Sequence, residues 1–263
     1  MADSFGSAAV KEFNLGLDEL EMNLGFLRTS TKLRPRLSGL LNWGAIDGDA
    51  KALVSDFLNQ KSVELSPQYR GMMIVLSGAF EQLVRRLIHE AVLTINNGVS
   101  NYDQLSERIR AQNILRTGRA LTTIREPPDH VVVDYHALAK QLATCVAGAD
   151  SFILNADAFT LFISSVSPRH LTDLCDSIGI TLNWDDFGRE SGLETMLATK
   201  GVRATGKAVA DYLDKFIKLR NRFSHTGTGG VIVTDSEIQN YIRFFRLFAS
   251  ALAQTVAAKL KAP

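Results

Sequence analysis

The sequence predicts an all-α fold. Three observations carry that prediction: apolar residues return every three or four positions along most of the 263 residues, helix start and stop residues stand at the ends of those stretches, and β-branched runs are scarce. Only Val131-Val132-Val133 and Val231-Ile232-Val233 have the composition of strands, and breakers flank both. Two isolated runs do not make a sheet.

Val10, Phe13, Leu17, Leu20, Leu24 and Leu27 form the stripe of a first helix packed in a bundle. It is expected to end near Arg28, with residues 31–36 a basic connector, because Pro35 pushes Arg34 out of helical geometry. A short helix over about 49–60 follows. A third runs from Pro67, which suits a first turn, through Leu76, Phe80, Leu83, Leu87 and Ala91 to about Ile95; Val84 and Ile88 widen its apolar arc, and Asn96-Asn97-Gly98 stops it. Helix is expected again up to about Leu121, before the breaker Glu126-Pro127-Pro128-Asp129. Short helices then carry Leu138, Leu142 and Val146, next Phe159, Phe162 and Ile163, next Leu171, Leu174 and Ile178, joined at Gly148, Pro168 and Gly179. A longer one spans Gly206 to His225, with Gly227, Gly229 and Gly230 ending it. Thr234 and Glu237 form a capping box that opens a last helix bearing Ile238, Tyr241, Phe245, Phe248, Leu252 and Val256. This divides the chain into an N-terminal helical segment, 1–65, packing on a bundle of residues 66–260 with a smaller helical insertion around 100–200.

Composition narrows the function. With 46% hydrophobic and 22% charged residues, the chain is globular. The 29 basic and 28 acidic side chains nearly cancel, so a polyanion site must be local. Cys145 and Cys175, with no neighbouring ligand pair, read as packing thiols of a reducing compartment, and no zinc site is expected. No apolar run reaches the roughly 20 residues of a membrane span, and Met1-Ala2-Asp3-Ser4 lacks the order of a secretory signal. A cytoplasmic protein without membrane partners or cofactors is expected.

One residue contradicts its surroundings. At about 100° per residue from Val209, Leu213 falls near 40°, Phe216 near −20°, Phe223 near −40° and Arg220 near 20°, inside the apolar arc. A guanidinium there needs a carboxylate, backbone carbonyls or a bound anion. Asn221 and His225 share a face one turn apart, and His225 stands in the last turn, where the macrodipole favours a cation. Phosphodiester cleavage without a metal uses this inventory: a near-neutral proton carrier and a fixed cation for the charge on phosphorus oxygens. Each chain brings a single histidine to this helix end, which favours a symmetric dimer with the site on its axis. An arginine and a histidine at a helix end also serve as caps or pair with an acid such as Asp211 or Asp214, and that reading stays open on periodicity alone.

The run Arg220-Asn221-Arg222-Phe223-Ser224-His225, after Phe216-Ile217-Lys218-Leu219 and before Thr226-Gly227, resembles the signature of HEPN domains. Ala79-Phe80-Glu81-Gln82-Leu83-Val84-Arg85 is similar to the acidic position in an early long helix of those domains, and Ser167-Pro168-Arg169-His170-Leu171 through Ile178-Gly179-Ile180 resembles the RiboL-PSP subgroup. The resemblance covers roughly 65–255. It implies a HEPN-like helical bundle and a dimeric, metal-independent endoribonuclease leaving a cyclic phosphate, a toxin or antiphage-defence effector restrained by an antitoxin or other regulatory partner. It further implies catalytic Arg220 and His225 with Asn221 supporting. Glu81 is the candidate carboxylate behind Arg220, the alternative being a surface pair with Arg85. Two other readings compete: a helical module that binds RNA or a nucleotide without cutting, and a scaffold in which Arg220 is merely paired.

Arg108, Arg110, Arg116, Arg119 and Arg125 occur with no acid among them, a candidate RNA-backbone patch to which Arg222 beside the motif adds. The opposing reading is a solvated face answered by Asp103 and Glu107. Gly201 to Ala208 nearly spells a nucleotide-binding loop, but Ala208 replaces the magnesium-binding hydroxyl, and its glycines are expected to open the Arg220 helix instead. His89, His130, His136 and His170 share no ligand spacing, Asp185-Asp186 reads as a cap or loop pair, and no Gly-x-Ser-x-Gly elbow supports acyl transfer.

Overall fold

The computed structural model describes residues 4–41, 47–59, 65–126, 132–147, 152–226 and 233–260, without the side chains of residues 40, 41, 59, 65, 66, 225 and 226. Among these residues stand eleven α-helices and no strand: α1 Ser7–Leu41, α2 Gly48–Asn59, α3 Leu65–Gly98, α4 Glu107–Thr122, α5 Tyr135–Val146, α6 Ala156–Thr160, α7 Pro168–Ser177, α8 Trp184–Phe187, α9 Ser191–Met196, α10 Val202–Thr226 and α11 Asp235–Leu260. The chain is all-α, as its periodicity predicts. Val132 and Val133 are not strand; Val131, Gly148, Gly227, Gly229, Gly230 and Val231-Ile232 lie outside the described residues.

α1, α3 and α11 pack on one another, and α10 joins them on α3. The stripe of α1 is buried as read, with Phe13, Leu17, Leu20 and Leu24 all inside. Aromatic rings make the common core. Phe245 of α11 meets Phe80 of α3 at 4.8 Å, Phe216 of α10 at 4.7 Å and Phe13 of α1 at 6.5 Å between centroids. A ring that touches three other helices fixes their spacing, because such pairs favour tilted or edge-on approach. The helix α6 docks on α3, and around it Ala120, Leu138, Ala158 and Leu161 form a small satellite core with α4 and α5.

The capping signals act as read. In the box before α11, Thr234 Oγ1 accepts from the Glu237 N–H at 3.3 Å and Glu237 Oε2 accepts from the Thr234 N–H at 2.9 Å. Pro168, read as a joint between short helices, stands in the first turn of α7, which Ser167 caps.

Several boundaries differ. α6 ends at Thr160 and α7 at Ser177, so Phe162, Ile163 and Ile178 lie beyond the short helices expected to carry them. α1 does not end near Arg28: it continues through Pro35 to Leu41, so residues 31–36 are helix and not a connector. A proline removes one ladder hydrogen bond, to the Thr31 carbonyl here, and tertiary contact outweighs that loss. Arg34 Nη2 donates to the Phe57 carbonyl at 3.2 Å and its guanidinium lies 5.3 Å from the Phe57 ring, tying this stretch to α2. α10 begins at Val202, four residues before Gly206, and α8 and α9 are short helices where no periodicity of that length is legible. No described helix is long and apolar enough to cross a membrane.

Replacing Phe245 with Ala is expected to cost about 3–5 kcal/mol of stability, read by urea denaturation, because it opens the centre of the aromatic core. Burial pushes the Cys175 thiol from an ordinary value near 9 up to about 12, and burial, then Glu237, pushes the Tyr212 hydroxyl up to about 12. Raised values leave these contributions complete below the unfolded values and remove them as pH climbs through the folded ones. Thermal melts should therefore hold level from neutral pH up to about pH 9 and fall steadily above it.

Candidate active site

α10 is seated by direct backbone contact. Any Cβ at Gly188 would fall on the Val202 carbonyl, and any Cβ at Gly206 on the Trp184 carbonyl, so only glycine lets α8 lie against the start of α10. The near-match to a nucleotide-binding loop is thus a helix start, with Thr205 buried and its hydroxyl 2.7 Å from that of Thr199. Farther along, Val209, Leu213, Phe216 and Phe223 turn inward. Arg220, on the same arc, reaches the edge of the core, where its side chain keeps 24% of its exposure.

Four residues from three places meet there. Arg220 Nη2 stands 3.6 Å from Glu81 Oε1 of α3, and Glu81 is 14% exposed. Arg220 Nη1 donates to Asn221 Oδ1 at 3.2 Å and to Ser165 Oγ at 3.3 Å. Ser165 closes the ring: its hydroxyl donates to Asn221 Oδ1 at 3.1 Å and its main-chain N–H to Glu81 Oε1 at 2.9 Å. Arg220 Nε is buried with no partner among the described residues, leaving the fork with a donor to spare.

Of the two readings for Glu81, its carboxylate pairs with Arg220. Arg85, one turn farther on α3, donates instead to the Thr160 carbonyl at 3.4 Å and to the Ile163 carbonyl. Burial lowers the Arg85 guanidinium below its ordinary value, and the nearby Glu81 charge works against that. Glu81 and Arg85 therefore both hold the 160–165 segment. Beside them opens a cavity of about 390 Å³, lined by Gln82, Arg86, His89 and Asp157 among others. In it His89 Nε2 lies 3.2 Å from Asp157 Oδ1, and that hydrogen bond holds the Asp157 carboxyl below its usual range.

The structure brings Arg220, Asn221 and Glu81 together. His225 belongs to the last turn of α10, and its side chain lies outside the described residues. The predicted basic run of α4 is largely engaged within the protein. Arg108 pairs with Asp176 at 3.0 Å and Arg110 with Asp103 at 2.7 Å, so Asp103 answers as the solvated-face reading has it, while Asp176 stands where Glu107 was expected. Arg116 donates to the Phe159 carbonyl at 3.2 Å and stacks on that ring, and burial lowers its guanidinium. Arg119 covers the Phe162 ring at 4.1 Å. Arg222 is exposed on α10, along a groove with Asp211, Asp214, Lys218 and Glu237. No cluster of three His, Cys, Asp or Glu suited to a metal ion occurs among the described residues.

Ser165 is the site residue that pattern reading misses. Its φ of 48° is left-handed, which costs a side-chain-bearing residue on the order of 1–3 kcal/mol. Nothing in Ile163-Ser164-Ser165-Val166 signals it, since glycine or asparagine is the usual mark of that conformation.

The RiboL-PSP-HEPN family model matches residues 49–258. The chain therefore belongs to the RiboL-PSP-HEPN family, a branch of the HEPN superfamily of RNA-binding and nuclease domains. Among curated proteins and solved structures, nothing matches.

Replacing Glu81 with Gln keeps an acceptor for the Ser165 N–H, whereas Ala removes it along with the charge beside Arg220. Urea denaturation should show the Ala variant less stable by roughly 1–3 kcal/mol and the Gln variant affected by less than half as much.

Proposed function

We propose that this protein is a metal-independent endoribonuclease that cuts RNA by attack of the ribose 2′-hydroxyl on the adjacent phosphate. The observation that carries the reading is Arg220: a guanidinium braced on one side by Glu81, Ser165 and Asn221 and partly open to solvent. A planar fork held this way suits the non-bridging oxygens of a phosphodiester, whose negative charge grows as the 2′-oxygen bonds to phosphorus and the 5′-oxygen leaves. One proton must leave the 2′-hydroxyl and one must reach the departing 5′-oxygen. In this reading His225 carries one of them, and its counterpart in a second copy, across a twofold axis, carries the other. The products are a cyclic phosphate and a free 5′-hydroxyl. Asn221 supports Arg220.

The same reading makes the protein a cytoplasmic toxin or antiphage-defence effector, held in check by an antitoxin or another regulatory protein. Arg222, exposed on α10, enters it as an RNA-backbone contact, and so do Arg108, Arg110 and Arg119 where phosphate takes the place of their present partners; Arg116 stays committed to the Phe159 carbonyl. Each phosphate they neutralise steepens the salt dependence of binding, by about one unit of log–log slope.

Pooled RNA incubated in EDTA with the wild type and its variants tests the proposal. Wild type should cut, Arg220→Ala and His225→Ala should each cut about 10²–10⁴-fold more slowly, and Glu81→Gln about tenfold more slowly. Cutting by His225→Ala at the wild-type rate refutes it. Retention of RNA without cutting supports a non-cleaving RNA-binding module instead.

A further inference from the structure

Ser165 stands outside the Arg-Asn-x-x-x-His motif, 55 residues before Arg220 in the chain, yet every polar group it owns except its carbonyl is spent on that motif and its carboxylate. The N–H goes to Glu81 and the hydroxyl to both Asn221 and Arg220. Its left-handed φ would suit glycine, so a hydroxyl is held there against the backbone's preference. The segment that delivers it is anchored on both sides of the turn: Arg85 grips the Thr160 and Ile163 carbonyls, and Ile163 and Val166 are buried.

The hydrogen bonds also decide which way the Asn221 amide faces. Its Oδ1 accepts from the Ser165 hydroxyl and from Arg220 Nη1. A planar amide whose oxygen is occupied by two donors must carry its two N–H groups on the other branch. The Asn221 Nδ2 branch then offers donors only, as the Arg220 guanidinium does, and donors suit an acceptor-only ligand such as a phosphodiester group. Without the hydroxyl, Arg220 Nη1 alone holds that oxygen, and the amide turns over more readily to present it to the anion.

We infer that Ser165 is a positioning residue: it sets the Asn221 amide and the Arg220 fork in register to receive the scissile phosphate. This rests on the nuclease reading above. Ser165→Gly isolates the hydroxyl, because glycine accepts the φ and retains the N–H for Glu81, and Ser165→Ala checks it with the backbone conformation unrelieved. The measurements are RNA cleavage in EDTA and the side-chain amide signals of Asn221 in the 263-residue chain by nitrogen-15 NMR.

Ser165→Gly should melt no lower than wild type, lose about tenfold or more in kcat with little change in KM, and move the Asn221 amide pair to the position of a solvent-averaged amide. In an Arg220→Lys background, which keeps the charge but not the fork, Ser165→Gly should add no further loss, because the two act as a unit. Wild-type kcat in Ser165→Gly, or a loss fully additive with Arg220→Lys, overturns the assignment. So do unmoved Asn221 signals, whatever the cleavage result. A wild type that leaves RNA intact overturns the nuclease reading itself.

Discussion

The geometry of the site depends on how far apart α3 and α10 are held, and that distance is set by rings. Phe80 and Phe216 each pack on Phe245 at less than 5 Å, one from the helix that carries Glu81 and one from the helix that carries Arg220. Glu81 follows Phe80 directly, and Arg220 lies one turn beyond Phe216. The aromatic contact thus fixes the two backbones within reach of a carboxylate–guanidinium pair. A pair at this depth contributes little net stability, since desolvation offsets attraction. Its consequence is orientation: the carboxylate holds the fork in one direction while apolar packing does the stabilising.

That division of labour explains what was legible in the sequence. Helical periodicity reports which residues face inward, so it recovers the stripes of α1, α3, α10 and α11 and marks Arg220 as a misfit. The partner of a misfit is less legible, because it comes from another helix. Glu81 could be named while its own partner stayed open between Arg220 and Arg85, and the structure decides between them through the Thr160 and Ile163 carbonyls that occupy Arg85. Ser165 was invisible for a related reason: its role comes from a backbone conformation and from contacts far along the chain. Pro35 misleads in the opposite sense. It is a strong local signal, overridden by contacts with α2 that no local rule contains. The short helices α8 and α9 lack the length over which a period becomes visible, and their glycine-dependent seating against α10 is a matter of backbone shape.

The N-terminal helix lies outside the family match, which begins at residue 49, yet it is bound to the bundle by more than its apolar stripe. Arg28 of α1 grips Asp235 with hydrogen bonds of 2.6 and 2.7 Å at the first turn of α11. Arg246 of α11 answers Asp18 and Glu21 of α1 at 2.8 and 3.2 Å, and Arg86 of α3 pairs with Glu12. Such partly exposed pairs are worth little singly. Together they fix the rotation of a helix whose buried face alone would leave its register loosely defined.

The glycine-lined seat of α8 on α10 turns one end of a long rod into a fixed bearing. From Gly206 to Arg220 the helix climbs about 21 Å, and every residue along it turns the far end by about 100°. A single added residue anywhere in that interval would swing the guanidinium away from α3 while leaving the bearing untouched. Substitution is tolerable along the outer face of this rod; a change in its length is not.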